Sequence, residues 1–209
     1  MEENNILRIA MSRRSTRRFS SEPIEVKDVL YAVQVALQAP SGANRQPWRF
    51  IIIFDPEIKR GVRHLCEEWE RKFHESQSLP KWFKEWLEER NISWEKPFLE
   101  EAPALIIVLA DKKAPYSRES TWLAIGYILL ALEEKGLASL TYTPANPQVI
   151  SRYLDVPLNY TLEAIIPVGR SGENKVKESR LGLEDTVCID RWGNNLELSS
   201  FPLAGYTRV

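Results

Sequence analysis

Hydrophobic positions recur along this chain with two different periods. Val26, Val29, Leu30, Val33 and Leu37 fall three or four positions apart, the spacing that lays one apolar stripe along a helix, and Pro40 forbids that helix from continuing. Soon afterwards Trp48-Arg49-Phe50-Ile51-Ile52-Ile53-Phe54 is β-branched and aromatic, as in a largely buried strand. Read this way throughout, the pattern predicts helices over 4–12, 26–38, 57–75, 81–90 and 120–135, and a short one over 149–154. Strands are predicted over 49–55, 104–110, 137–143 and 161–168. The apolar run from Trp122 to Leu132 includes Gly126 and falls below the ~20 residues a membrane-spanning helix needs, so it reads as a buried helix stopped by Gly136. The order is α+β, with no repeat, linker or low-complexity stretch.

Composition narrows the classes. At 209 residues and 44% hydrophobic, the chain is long enough for one substantial core and short for two domains. A net charge of −1 argues against a nucleic-acid partner, because any basic face must be offset by an acidic one. Two cysteines, Cys66 and Cys188, are too few for a disulfide framework or an ordinary metal cluster, so no metal is expected and a reducing cytoplasm is. Glu2 and Glu3 open a stretch without the apolar core of a signal peptide, and no membrane partner is expected.

Two short segments carry candidate chemistry. In Arg13-Arg14-Ser15-Thr16-Arg17, an extended backbone would turn Arg13, Ser15 and Arg17 to one side and Arg14 to the other. Two guanidinium forks and a hydroxyl on one face suit a phosphate, since planar donors grip two oxygens at once. A solvated basic stretch or nucleic-acid patch is the alternative. The second segment, Pro40-Ser41-Gly42-Ala43-Asn44-Arg45-Gln46-Pro47-Trp48, is turn chemistry between a helix and a strand. Gly42 can take positive φ and bring its backbone close to a ligand, while Asn44 and Gln46 can meet a flat polar ring edge; a purely structural turn is the competing reading. The two read as halves of one site for an anionic cofactor.

Together with Gly136-Leu137-Ala138-Ser139-Leu140-Thr141-Tyr142-Thr143-Pro144-Ala145-Asn146 and Ile165-Ile166-Pro167-Val168-Gly169-Arg170, these segments resemble the nitroreductase family of FMN-dependent oxidoreductases, most nearly its iodotyrosine-deiodinase-like branch. The resemblance implies a mostly antiparallel central sheet flanked by helices, in an interlocked homodimer with FMN sites at the interface. It also implies a nitroreductase-like FMN-binding domain over 1–183 and a C-terminal arm over 184–209 that wraps the partner, with Trp192, Phe201 and Tyr206 as its apolar contacts.

Residue roles follow from the same resemblance. Arg13, Arg14 and Ser15 match phosphate-binding positions, and Arg17 a position at the pyrimidine edge of the flavin, where a fixed cation stabilises charge developing on reduction. Pro40, Ser41, Asn44 and Gln46 match the loop beside the ring, with Gly42 and Ala43 turned to the substrate. Thr143 matches the donor facing flavin N5 and is the candidate catalytic residue, Thr141 and Tyr142 flanking it as backbone contacts; Arg180 aligns with a second phosphate-binding residue.

Substrate choice falls to residues 67–98, where Trp69, Phe73, Trp82, Phe83, Trp86, Trp94 and Phe98 include four of the seven tryptophans. Such a segment could be an aromatic lid that stacks a planar substrate, or simply two helices anchored by their rings. In the deiodinase branch a Glu, a Tyr four residues on and a later Lys grip an amino-acid zwitterion. Glu70 matches the first and His74 stands where the Tyr is expected, while around the expected Lys the chain reads Leu87-Glu88-Glu89-Arg90. Neither His74 nor His64 shows a partner, so both read as surface or lid residues. The resulting expectation is a ping-pong NAD(P)H-dependent reductase of a planar acceptor such as a nitroaromatic or quinone. A reductive dehalogenase of halotyrosine-like substrates, or an FMN-binding or flavin-transfer protein with little turnover, are the alternatives.

Overall fold

The computed structural model describes residues 5–76, 79–90, 92–174 and 176–200. Its centre is a four-stranded antiparallel sheet made of β1 (Trp48–Ile53), β2 (Ala104–Asp111), β3 (Ala138–Ser139) and β4 (Tyr160–Gly169), in the order β1-β2-β4-β3. The helices before β2 are α1 (Asn5–Ser12), α2 (Val26–Ala36), α3 (Pro56–His74), α4 (Lys81–Glu89) and α5 (Phe98–Glu101). After it come α6 (Ser117–Glu134) and α7 (Pro147–Tyr153).

β2 is buried along nearly its whole length because each face of the sheet carries its own core. Ile106 and Val108 meet Val29, Ala32, Ala124 and Ile128 of α2 and α6, whereas Leu105, Ile107 and Leu109 meet Val62, Leu99 and Ile150 of α3, α5 and α7. Strand alternation deals successive side chains to opposite cores, which is why the segment reads as a continuous apolar run. β4 obeys the same rule with one interruption: Val108 pairs with Ala164 and Leu109 with Leu162, so Glu163 is the extra residue of a bulge. Its carboxylate accepts a hydrogen bond from Trp122 Nε1 at 2.9 Å and lies 3.4 Å from Arg118 Nε.

The helix ends follow local chemistry. Asp55 accepts from the N–H groups of Glu57 and Ile58 with Pro56 next in line, and Asn146 accepts from Gln148 with Pro147 next in line. α6 ends on Gly136 at φ +66, and the Leu137 N–H reaches back to the Leu132 carbonyl at 2.8 Å, closing the helix.

The predicted α+β order holds, and most element ends fall within a few residues of expectation. The strand expected over 137–143 is shorter: after Ser139 the ladder lapses, resuming only as one pairing of Tyr142 with Ile165. Leu140 and Tyr142 still face one core, so the apolar alternation survives where the hydrogen bonds do not. α5 was not foreseen, since four residues carry no readable period.

The chain separates into two compact units, the first ending at Lys175 and the second starting at Val176. The break thus precedes the boundary expected at 183/184. Within the second unit α8 (Leu183–Thr186) opens with the Gly182 N–H donating to Asp185, and Cys188 bridges to Asn195. Trp192 is almost fully exposed; Phe201 and Tyr206 lie outside the described residues. Among the described residues no helix is long and apolar enough to cross a membrane.

Ile166 contacts the α2–α6 core and is wholly buried. Ile166→Ala is expected to lower stability by about 2–5 kcal/mol in chemical denaturation, through lost burial and an unfilled cavity.

Candidate functional site

Of the segments singled out in the sequence, the structure joins the first to the third. α1 ends at Ser12, and the chain then runs alongside β3, with Ser15 pairing with Ser139 in parallel and the Thr16 N–H donating to the Ser139 carbonyl at 3.1 Å. Thr16 is buried, Arg13, Arg14 and Ser15 are half-buried, and Arg17 is exposed. The Arg17 N–H donates to the Glu173 carboxylate at 2.6 Å. Arg14 turns its Nη1 back to the carbonyls of Met11 and Ser12, so part of its fork closes the end of α1.

The second segment lies elsewhere. Pro40 to Trp48 leads into β1, one edge of the sheet, whereas Ser15 lies beyond β3 at the other. The two also sit at opposite ends, because Trp48 pairs with Ala110, which pairs with Thr161, while Ser139 pairs with Val168. With strands ~4.8 Å apart and ~3.3 Å per residue along β4, the separation is on the order of 25–30 Å. One chain therefore does not bring Arg13, Ser15 and Arg17 together with Ser41, Asn44 and Gln46, so the two segments expected to be halves of one site lie apart within a chain.

The loop itself is strained in a way a plain turn is not. Ala43, Asn44 and Gln46 take φ of 49, 52 and 46, the left-handed region that costs a residue bearing a Cβ. Ser41 Oγ accepts from the Gln46 N–H at 3.0 Å, and the Gln46 side-chain amide donates to Asn44 Oδ1 at 3.3 Å. The Gly42 N–H donates to Ser120 Oγ of α6 at 3.2 Å, and a Cβ on Gly42 would fall 2.7 Å from the Tyr116 ring. Gly42 is needed here for close approach of the loop to α6, not for positive φ.

Beside Thr143 the chain assembles a cluster of ionisable groups. Glu70, Lys96 and Tyr142 are respectively 7%, 6% and 8% exposed. Glu70 Oε1 accepts from the Tyr142 hydroxyl at 2.8 Å and from the Ala145 N–H at 3.3 Å. Its Oε2 lies 3.5 Å from Lys96 Nζ and 3.8 Å from His74 Nε2. Lys96 Nζ also donates to the Ser93 carbonyl, and the Lys96 N–H donates to Glu67 Oε1, which takes Arg63 Nε as well. Every charge removed from water here has an opposite charge or a dipole beside it, as burial requires.

Several expectations change on this geometry. Glu70 is buried against the Tyr142–Ala145 turn rather than held out on a lid. His74 has a partner, Glu70, and an edge-on contact with Phe73, so it is not a bare surface residue. The lysine that the chain brings to Glu70 is Lys96, beyond the 87–90 stretch and after α4; sequence reading missed it because distance along the chain does not report that return. Tyr142 is occupied on every side: its N–H and C=O both pair with Ile165, at 2.9 and 2.8 Å, and its hydroxyl goes to Glu70. The backbone expected to contact a cofactor is thus engaged with β4 in this chain. Thr141 is half-buried, and Thr143 is exposed next to this cluster. Arg180 belongs to the second unit, where its Nη1 donates to the Glu178 and Ser179 carbonyls.

The aromatic segment is only lightly anchored. α4 buries Leu87 alone, while Phe83 stacks on Trp86 and meets Trp82 and Phe73 edge-on. Arg90 lies over Trp86 and Arg71 over Trp94. Phe98, at the segment's end, packs edge-on to Tyr142.

Burial first, and Lys96 second, hold His74 below its ordinary value of 6.5, with Glu70 opposing them. Burial likewise lowers Lys96, and it pushes the Cys66 thiol up to about 12, leaving that cysteine unreactive. The Tyr142 phenol is pushed upward by burial, so it stays a donor. Because unfolded His74 takes up its proton before folded His74 does, its neutral burial is free of cost above 6.5 and costs stability as pH falls below it. Thermal melts across that range are expected to show a shallower acid-side loss for His74→Asn than for the parent; identical slopes would contradict this.

Comparison with known proteins adds three findings. The family model described as "Nitroreductase family" matches residues 10–170. Iodotyrosine deiodinase of Thermotoga neapolitana is 46% identical over 172 residues, covering 82% of this chain and 91% of that protein, and that of Haliscomenobacter hydrossis is 34% identical, covering 77% of each. Among solved structures, an oxidized iodotyrosine deiodinase bound to FMN and 3-iodo-L-tyrosine superposes with a TM-score of 0.81 at 45% identity, covering 85% of this chain and 95% of that one. A nitroreductase with bound FMN from Bacteroides fragilis matches at 22% identity and a TM-score of 0.71, a likeness of fold alone.

Proposed function

This chain belongs to the nitroreductase family, and within it we propose an FMN-dependent reductive dehalogenase acting on halotyrosine-like amino acids. The observation that carries this reading is the buried pairing of Glu70 with Lys96, 3.5 Å apart beside Thr143. A carboxylate and an ammonium side by side form the complement of an amino-acid zwitterion, whose ammonium would take Glu70 and whose carboxylate would take Lys96. A nitroaromatic or quinone presents no such pair of charges, and leaving this one unused would carry a desolvation cost without return. The likeness to iodotyrosine deiodinases supports the same choice over the general reductase first expected.

FMN, when bound, supplies the two electrons; with one proton these replace the carbon–halogen bond by carbon–hydrogen and release halide. What the protein contributes is placement. Arg13 and Ser15 would hold the phosphate, Arg17 the electron-rich ring edge, and Thr143 would offer its hydroxyl beside the ring. Since the Pro40–Gln46 loop lies at the far edge of the same sheet, its contribution to that ring would come from a second copy of the chain, which makes the proposed site composite in a homodimer. The aromatic segment around α4 would cover the substrate and exclude water. The C-terminal segment from 184 is assigned, on the same reading, to the partner.

Two measurements test this. Reduced anaerobically, with NAD(P)H or dithionite as the donor, the yellow protein is expected to be reoxidised by 3-iodo-L-tyrosine with release of iodide and to respond weakly to nitroaromatics; the opposite ranking would restore the general reductase. Arg13→Ala is expected to weaken FMN binding about 10- to 100-fold in a fluorescence titration, because a charge-assisted hydrogen bond contributes about 1.5–3 kcal/mol. Unchanged affinity would remove Arg13 from the phosphate site.

A further inference from the structure

The two oxygens of Glu70 have different surroundings. Oε1 is saturated by two donors from one turn, the Tyr142 hydroxyl and the Ala145 N–H. Among the described residues Oε2 faces Lys96 and His74, at 3.5 and 3.8 Å, longer than a tight charge-assisted hydrogen bond. One oxygen is thus spent on holding the carboxylate, while the other has room for a better donor.

The group that holds it is itself fixed. Tyr142 has both backbone groups tied to Ile165 and its ring against Phe98, with centroids 5.7 Å apart. A phenol held this way sets the direction of whatever it hydrogen-bonds. His74, four residues after Glu70, cannot replace it, because its ring nitrogen approaches the other oxygen and only at 3.8 Å. The tyrosine hydroxyl that serves Glu70 therefore comes from the turn next to Thr143 rather than from α3.

We propose that Tyr142 is a positioning residue for substrate selection: by occupying Oε1 it makes Glu70 present Oε2 alone to the ammonium of an amino-acid substrate. This rests on the dehalogenase reading above. It assigns Tyr142 a role in recognising the amino group and none at the halogenated ring, so its loss separates two classes of substrate. An ortho-halophenol carries the reacting ring without the ammonium, and Tyr142 does not act on it. In Tyr142→Phe the ring remains against Phe98, while Oε1 loses its best donor and the carboxylate turns toward Lys96 and His74 with both oxygens. The Lys96 ammonium then competes with the substrate ammonium for the same charge, and the His74 ring crowds the second oxygen.

The test compares 3-iodo-L-tyrosine with 2-iodophenol, with dithionite as reductant, in the FMN-loaded parent and in Tyr142→Phe. The parent is expected to prefer the amino acid in kcat/KM. The variant is expected to lose about tenfold of that preference through KM, with kcat and the 2-iodophenol reaction unchanged. A hydrogen bond to a charged group is worth about 1.5–3 kcal/mol, of which tenfold is about 1.4 kcal/mol. Activity on 2-iodophenol also shows that the variant is folded and loaded. If the parent prefers the amino acid and the variant keeps that preference, or loses activity equally on both compounds, the role of Tyr142 is overturned and the dehalogenase reading stands. If the parent has no preference, both are overturned. NMR titration of His74 gives a second readout independent of turnover. Its midpoint is expected to rise in Tyr142→Phe as Glu70 turns toward it, and an unmoved midpoint counts against the positioning role.

Discussion

The antiparallel pairing of β2 with β4 at the middle of the sheet constrains everything else. Both strands are covered on both faces, one by α2 and α6 and the other by α3, α5 and α7, so neither face is open to a ligand. Chemistry is left to the edges and ends of the sheet. The basic segment after α1 adds to one edge through Ser15 and Ser139, and the strained loop before β1 occupies the opposite edge and end. A single chain cannot close that gap, so the same packing that gives the chain one solid centre divides the residues proposed for the flavin site between two places.

A second constraint is the cost of burying charge. Glu67, Glu70 and Lys96 are buried together; Glu70 and Lys96 neutralise each other from different parts of the chain, while Glu67 pairs with Arg63 of its own helix. Glu70 belongs to α3, Lys96 to the return after α4, and Tyr142 to the segment after β3. Such a cluster links the base of the aromatic segment to the turn that carries Thr143. Glu70 joins these parts, accepting from the Tyr142 hydroxyl and the Ala145 N–H through one oxygen and facing Lys96 with the other. α4, buried only at Leu87, is free of that restraint.

Much of the fold was legible beforehand because its signals are local. The helix from Val26, the apolar run into β1 and the stop at Gly136 each depend on a few adjacent residues and appear where expected, although the helix buries Val29, Ala32 and Ala36 and leaves Val26, Leu30 and Leu37 exposed. α5 and the lapse after β3 did not announce themselves. A four-residue helix has no period, and the alternation of Leu140 and Tyr142 looks the same whether or not the ladder is continuous. Of the candidate site, the residue types in the basic segment and the loop stood out, but their separation did not. Tyr142 was expected to act through its backbone, and only the tertiary structure shows that its hydroxyl reaches Glu70. Lys96 was passed over because no spacing rule connects it to Glu70 across an intervening helix.

The sequence alone determined the longer helices and strands and the family likeness, since periodicity, turn chemistry and contiguous motifs are properties of neighbouring residues. Only the tertiary structure decided that Arg13 and Ser41 lie at opposite corners of one sheet, and that Glu70, His74, Lys96 and Tyr142 meet. Strand order and the burial of charge depend on which distant segments pack together, and two segments adjacent in sequence can be driven apart by a core that forms between them.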